Sequence, residues 1–140
     1  MVELDHAFTT GKPADYNLDA ILDLDRVIPC VEGGKVLERS SPDLAEAEIK
    51  VKMGAMSMTF KGTVEVASKD ASCAVLRVKS KDTGGSGYAN ADVRFDLDDG
   101  GGRIHTEAKI TGKAASMGEG VVATVLDALI KDFTTKLATI

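Results

Sequence analysis

The chain has 140 residues, of which 44% are hydrophobic and 28% charged, and its formal net charge is −5. This size and composition predict one globular domain, residues 1–140, with a hydrophobic core of its own. The negative net charge argues against nucleic-acid binding through a basic patch. The longest nearly apolar run, Val121 to Ile130, contains Asp127 and is too short to cross a bilayer.

The N-terminal part of the chain predicts one strand followed by two short helices. In "VELDHAFTT" every second residue falls on one face, which carries Val2, Leu4, His6 and Phe8. The segment "GKPADYNLDAILDLDRVIPCVEGG" has apolar residues at helical spacing, with a break near Leu24 and an end at Pro29. The acidic start "MVELDHAF" lacks the positively charged region of a signal peptide, so we expect a cytoplasmic protein.

The middle of the chain alternates with a period of two and predicts six further strands. Their segments are "KVLERS", "LAEAEIKVKM", "MSMTFKGTVEVAS", "SCAVLRVKSK", "GYANADVRFDLD" and "RIHTEAKITG". The connectors are short and rich in Gly, Asp and Ser, as antiparallel hairpins require. In "VKMGAMSMTFKG" we expect a turn at Gly54-Ala55 and an inward face made by Val51, Met53, Met56, Met58 and Phe60.

From Ala114 onward the spacing of apolar residues changes, and it predicts one long amphipathic helix that runs to the end of the chain. Its apolar stripe contains Met117, Val121, Val122, Val125, Leu126, Leu129, Ile130, Phe133 and Leu137. A one-sided antiparallel sheet has to cover its apolar face, and this helix carries the matching stripe. The sequence therefore predicts an α+β fold: a seven-stranded curved antiparallel sheet wrapped around a long C-terminal helix, with two short helices after the first strand.

Small inward residues on two neighbouring strands face the valines of the last helix. Ala89 and Ala91 lie on one strand, and Thr106 and Ala108 on the next. Either the two layers close up at this point, or a cavity persists there, and a persistent cavity usually has an occupant. The methionines allow the same two interpretations, since a flexible thioether suits both ordinary core filling and the wall of an apolar cavity.

The residues that we expect to line such a cavity come from most of the predicted elements. They are Leu18, Ile21, Ile28, Met53, Met56, Met58, Phe60, Leu76, Val78, Ala89, Ala91, Val93, Thr106, Ala108, Val121, Val122, Val125, Leu126 and Leu129. A polar head group of the ligand would need a polar partner, for which we expect His6 and Tyr16, with Asn90 and Thr106 as further candidates. The alternative for His6 is a core histidine that a backbone group satisfies.

No catalytic constellation is visible in the sequence. His6 and His105 are its only histidines, and His105 falls on the polar face of its strand, where we expect a solvated side chain. One inward histidine without a nucleophile or a second ligand makes neither a catalytic nor a zinc site. Cys30 and Cys73 are far apart and predict reduced, buried thiols. Motifs for iron–sulfur clusters or dinucleotides are lacking, so we expect a non-enzymatic protein with no metal and no intrinsic cofactor.

Three parts of the chain carry a resemblance to a known family. They are "LDLDRVIPCVEG", "VKMGAMSMTFKGTVEV", and "GSGYANADVRFDL" followed by "ITGKAASMGEGVV". In this order and spacing they resemble the G-subunit family of carbon monoxide dehydrogenase, which has the helix-grip fold of the START and SRPBCC superfamily. The resemblance covers nearly the whole chain. Relatives tend to have a tryptophan in the first short helix, where this chain has Asn17-Leu18.

The resemblance implies an accessory role beside the subunits of a molybdenum hydroxylase of the carbon monoxide dehydrogenase type. It also implies membrane recruitment of that enzyme and peripheral contact with the inner face of the cell membrane, through a tail beyond Ile140. Coupling to the quinone pool, together with a lipid-type cavity, implies that the bound ligand is a respiratory quinone such as menaquinone. Two alternatives remain: an assembly or recruitment factor without a ligand, and a lipid-binding or cyclase-type protein of the same superfamily.

Overall fold

A computed structural model describes residues 1–85 and 87–140. The strands in these ranges are β1 (Val2–Thr9), β2 (Gly34–Ser41), β3 (Leu44–Met53), β4 (Met56–Lys69), β5 (Cys73–Asp82), β6 (Tyr88–Asp98) and β7 (Gly101–Ile110). The helices are α1 (Ala14–Leu22), α2 (Leu24–Val27), α3 (Lys113–Ser116) and α4 (Glu119–Leu137), and a 3-10 turn (Ile28–Cys30) follows α2.

The strands form one seven-stranded antiparallel sheet in the order β1-β7-β6-β5-β4-β3-β2. Hairpins join β2 through β7 in sequence, whereas β1 closes the far edge beside β7. In that pair Leu4 lies opposite Thr106 and His6 lies opposite Ile104. The predicted α+β fold with two short helices after the first strand is confirmed.

The main core lies between the inner face of the sheet and the helices. Its largest fully buried side chains include Phe95 and Ile104 from the sheet and Ile21 and Leu24 from the short helices. Phe95 also meets Phe133 of α4, with ring centroids 6.1 Å apart and planes tilted by 56°, a favourable geometry for an aromatic pair. The apolar stripe that the sequence places on the last helix is therefore the face that covers the sheet.

The prediction of one continuous helix from Ala114 was wrong at its start. The helical backbone is interrupted at Gly118, whose φ of +97° is disfavoured for residues with a side chain. The short helix α3 on the other side of this break buries Ala114 completely. The break allows α3 and α4 to cover different parts of the sheet.

A second, smaller core lies at the tip of the β3–β4 hairpin, and we call it the methionine cluster. Its buried members are Val51, Met53, Met58, Phe60 and Ala114, and its half-buried members are Ile49, Met56, Ala89, Ile110, Met117, Val125 and Leu129. The predicted turn at Gly54-Ala55 and the predicted inward face of this hairpin are confirmed. None of the described helices combines the length and apolar character that crossing a membrane would require.

Candidate functional site: an apolar cavity between the sheet and the last helix

A cavity of about 240 Å³ lies between the inner face of the sheet and α4. The helix comes closest to β1 at one edge of the sheet, and to β3 and the 3-10 turn near the other edge. Because the sheet is curved, a straight helix that touches both sides leaves space over the central strands. The wall of this space is almost entirely apolar.

Many of the residues predicted from the sequence lie on this wall. They are Ile28, Phe60, Leu76, Val78, Ala91, Val93, Thr106, Ala108, Leu126 and Leu129. Ala91 pairs with Val78 on one side and with Ala108 on the other, so three small or medium side chains stand next to one another beneath the helix. The small residues singled out in the sequence therefore do border open volume.

The other predicted residues lie elsewhere, and the prediction that they line the cavity was wrong. Leu18 and Ile21 belong to the main core. Met53, Met56, Met58, Ala89 and Val125 belong to the methionine cluster, because Ala114 and Met117 close over the hairpin and the methionines fill the space between. Val122 is buried but does not line the cavity. Val121 is 40% exposed, because α4 begins only at Glu119 and its first turn projects into solvent.

The methionine cluster nevertheless touches the cavity at one end. Ile49, Phe60 and Leu129 belong both to this cluster and to the cavity wall. The flexible methionine side chains therefore lie next to the residues that line the cavity at the β3–β4 side. The methionines that the sequence placed in the cavity wall thus form a second layer of side chains next to the wall, at this end of the cavity.

Sequence reasoning missed part of the wall. The residues not foreseen include Val27, Val31, Ala47, Ile49, Val64, Ser80, Phe95, Ile104, Ile130 and Phe133. Most of them follow the same inward alternation or helical stripe as the predicted ones. The sequence pattern indicates which side chains point towards the core, but it does not distinguish those that pack tightly from those that border the cavity.

Two inward hydroxyl groups lie on the cavity wall. The hydroxyl of Ser80 donates a 2.6 Å hydrogen bond to the carbonyl oxygen of Ala89. Thr106 is only 3% exposed, and among the described residues its hydroxyl has no hydrogen-bond partner. The Thr106 hydroxyl is therefore a buried polar group in an almost entirely apolar wall, and no described residue of the protein satisfies it.

His6 ties the first strand to the last helix. Its Nε2 lies 2.6 Å from Oδ1 of Asp127, and the His6 side chain is 9% exposed. A second oxygen of Asp127 lies 2.9 Å from Nζ of Lys131, and these two neighbours, Lys131 foremost, lower the pKa of Asp127 below its ordinary value. A carboxylate thus partners Nε2 of His6 where a backbone group was the alternative, while Nδ1 has no partner among the described residues, and His6 does not line the cavity.

Tyr16 is not part of the cavity either. It is 40% exposed, and its hydroxyl donates to the backbone oxygen of Ile140. The Nζ of Lys12 lies 4.9 Å above its ring. Tyr16 therefore packs at the end of the chain, and Asn90 is exposed on the other face of the sheet, so neither meets a ligand in the cavity.

Titratable groups cluster on the outer face of the sheet, away from the cavity. Ligand atoms of Glu3, His105 and Glu107 lie within 4.8 Å of one another. His105 is half-buried and its Nδ1 lies 2.8 Å from Asp5, and the carboxylates of Asp5 and then Glu107 raise the pKa of His105. A metal ion would have to displace these hydrogen bonds, which account for the cluster without one.

The two cysteines are free and Cys30 is buried, as expected, whereas the expected burial of Cys73 was wrong. Burial raises the pKa of the Cys30 thiol, so this group is a poor nucleophile at neutral pH. Cys73 is half-buried at the start of β5, and desolvation raises its pKa as well.

A curved antiparallel sheet that holds a long helix over an apolar cavity defines a helix-grip protein. Solved structures with this fold include a conserved protein from Geobacillus kaustophilus, which is 23% identical with a TM-score of 0.76 and covers 98% of this chain and 90% of its own. A protein from Thermus thermophilus is 9% identical with a TM-score of 0.65 over 99% of this chain and 98% of its own. The Zhui aromatase/cyclase from Streptomyces is 14% identical with a TM-score of 0.60 over 99% and 92%.

The family assignment is narrower than the fold. Residues 7–140 match the family of the carbon monoxide dehydrogenase G subunit (CoxG), and the chain belongs to that family. Among curated proteins no significant match was found.

Proposed function

We propose that this protein is a non-catalytic accessory protein of a molybdenum hydroxylase of the carbon monoxide dehydrogenase type, and that it carries an apolar ligand between its sheet and α4. The proposed ligand is a respiratory quinone such as menaquinone, through which the protein couples the enzyme to the membrane quinone pool. The observation that carries the proposal is the apolar cavity of about 240 Å³ beneath α4. Membership of the CoxG family supports the choice of partner.

The volume of the cavity bears on how such a ligand would sit. It is slightly smaller than the range of about 300–1,000 Å³ that is typical of small-molecule pockets. A long polyprenyl quinone would therefore bury its ring and the first part of its tail. Ile49, Leu129 and Ile130 line the cavity and are half-buried, so they offer an apolar path by which the rest of the tail reaches the surface.

Burial of hydrocarbon supplies the affinity in this proposal. Each CH₂ group removed from water contributes about 0.8 kcal/mol, so a tail binds tightly without specific polar contacts along its length. Among the described lining residues the one titratable side chain is Glu48. A wall with a single titratable side chain supports the proposal of a carrier, because general acid–base chemistry needs positioned titratable groups next to the substrate.

Organic extraction followed by mass spectrometry tests the proposal. We expect protein purified from quinone-containing cells to release a quinone, and ligand-stripped protein to rebind it. The Ala91→Trp variant is the matched control, because the indole would occupy the cavity between Val78 and Ala108, and the folded variant should carry no quinone. Wild-type protein that neither co-purifies with a quinone nor rebinds one would contradict the proposal.

Co-purification with the hydroxylase tests the second part. We expect the tagged protein to retain the large hydroxylase subunit, and we place this complex in the cytoplasm at the inner face of the membrane. Retention of the subunit by a protein that binds no quinone would favour the alternative of a recruitment or assembly factor. Release of another lipid in place of quinone would favour a lipid-binding protein of the same fold.

A further inference from the structure

The hydroxyl group of Thr106 is placed unusually for a polar atom. The residue lies in the middle of β7, opposite Leu4 of β1 and Val93 of β6, so it is enclosed by a paired strand on each side. The side chain is 3% exposed and belongs to the cavity wall. Its Oγ1 has no hydrogen-bond partner among the described residues, and a buried hydroxyl without a partner lowers stability.

The neighbouring side chains do not supply the missing hydrogen-bond partner of the Thr106 hydroxyl. Ile104 and Ala108 precede and follow Thr106 on the same face of β7 and are apolar. His6 is its diagonal neighbour on β1, but the Nδ1 of His6 and the Thr106 hydroxyl make no hydrogen bond to each other and both remain unpartnered in the described part of the chain. Ser80, the other inward hydroxyl on the wall, is already satisfied by the carbonyl of Ala89.

We propose that the Thr106 hydroxyl is the polar recognition point of the cavity and donates a hydrogen bond to a carbonyl oxygen of the bound molecule. This inference rests on the proposed function and narrows it: the ligand is an apolar molecule with an acceptor oxygen at its buried end. Quinones belong to this class, whereas plain hydrocarbons and fatty acyl chains with an exposed head group do not. A buried hydroxyl without a partner costs free energy, and a hydrogen bond to the ligand's oxygen removes that cost. Binding of a molecule with an acceptor oxygen is therefore favoured over binding of one without it.

The position of Thr106 also sets the direction in which the ligand lies. The wall runs from β7 across β6, β5 and β4 to β3, a distance of about 19 Å along the sheet at roughly 4.8 Å for each strand. With its carbonyl at Thr106, the ligand points its apolar end towards Ala47 and Ile49, beside the half-buried Leu129 and Ile130 where the tail would leave the cavity. The flexible methionines of the neighbouring cluster then lie beside this exit and can adapt to the tail.

A matched pair of probes separates the hydrogen bond from apolar burial. The first is 2-methyl-1,4-naphthoquinone, and the second is 2-methylnaphthalene, which has the same ring skeleton without carbonyl groups. Binding of both to ligand-stripped wild type, Thr106→Val and Thr106→Ser is measured by calorimetry. Valine keeps the shape of threonine and removes the hydroxyl, whereas serine keeps the hydroxyl.

We expect Thr106→Val to bind the quinone about three- to tenfold more weakly than the wild type, which is the usual value of one net hydrogen bond. Thr106→Ser should stay close to the wild type for the quinone. The hydrocarbon should bind Thr106→Val at least as tightly as it binds the wild type, because no polar group is then left unpaired.

The outcomes distinguish this inference from the proposed function. Equal affinity of wild type and Thr106→Val for the quinone would overturn the role of Thr106 and leave the cavity as an apolar site. Equal weakening of both probes would overturn it too, since the loss would then not concern the carbonyl. If the wild type bound neither the quinone nor the hydrocarbon, that result would contradict the proposed function itself.

An infrared measurement keeps the inference testable if Thr106→Val does not fold. The carbonyl band of the quinone should move to lower frequency in wild-type protein relative to a hydrocarbon solvent, as hydrogen-bonded carbonyls do. A bound quinone whose carbonyl band remains at the hydrocarbon position would refute the hydrogen bond from Thr106.

Discussion

Filling the cavity from the sheet side should stabilise the ligand-free protein and weaken ligand binding. Ala91 on β6 is half-buried, lines the cavity and is flanked by Val78 and Ala108. In Ala91→Leu three additional carbon atoms project into the open volume beneath α4. The same substitution in a close-packed core would be destabilising, so the sign of the effect reports on the cavity.

The size of the effect follows from the three added carbons, for which the open volume of about 240 Å³ has room. Three carbons buried at about 0.8 kcal/mol each contribute roughly 2.4 kcal/mol, of which strain removes about 1 kcal/mol. We therefore expect the free energy of unfolding of the ligand-free protein to rise by about 1–2 kcal/mol.

Ala89→Leu is the matched control for this experiment. Ala89 lies two residues earlier on the same face of β6 but packs against the methionine cluster and is outside the cavity wall. Overpacking there should cost about 1–3 kcal/mol and leave the affinity for 2-methyl-1,4-naphthoquinone unchanged, whereas Ala91→Leu should reduce that affinity. Urea unfolding of ligand-stripped protein and calorimetry measure the two quantities. Equal destabilisation by both substitutions, with unaltered binding, would refute the cavity argument.

Three further predictions concern other contacts. Gly62→Ala should lower the urea midpoint strongly, because a Cβ at Gly62 would overlap the backbone oxygen of Lys79 on β5; a midpoint like that of the wild type would contradict this close approach. Lys131→Met should raise the NMR-measured pKa of Asp127, whose lowered pKa gives stability above about pH 4 that is lost as the pH falls through the folded-state value. Asp5→Asn should lower the pKa of His105, and its destabilising effect should be largest below about pH 6.5 and vanish as the pH rises through the raised pKa.

The number of strands, their hairpin connections and their inward faces could be predicted from the sequence. Alternation placed Ala91, Val93 and Phe95 on one face, and Gly54 marked a hairpin turn. These features depend on the period of two and on backbone preferences that act within a few residues. The family resemblance likewise rests on local strings of the sequence, and the family match over residues 7–140 confirms it.

The division of inward residues into core and cavity wall was decided by the tertiary structure. Phe60 and Met58 belong to one strand and are both buried, yet only Phe60 reaches the cavity. Met58 packs in the methionine cluster with Ala114 of α3, which a break at Gly118 separates from α4. The helical spacing of the apolar residues does not reveal that break.

The polar features of the site depend on contacts between distant parts of the chain. His6 meets Asp127 because β1 pairs with β7 beneath α4. The Thr106 hydroxyl is unpartnered for a related reason, since Leu4, Val93 and the cavity surround it. Local sequence determines the face of a strand on which a side chain lies. Whether that side chain finds a hydrogen-bond partner depends on how the sheet and the last helix pack against each other.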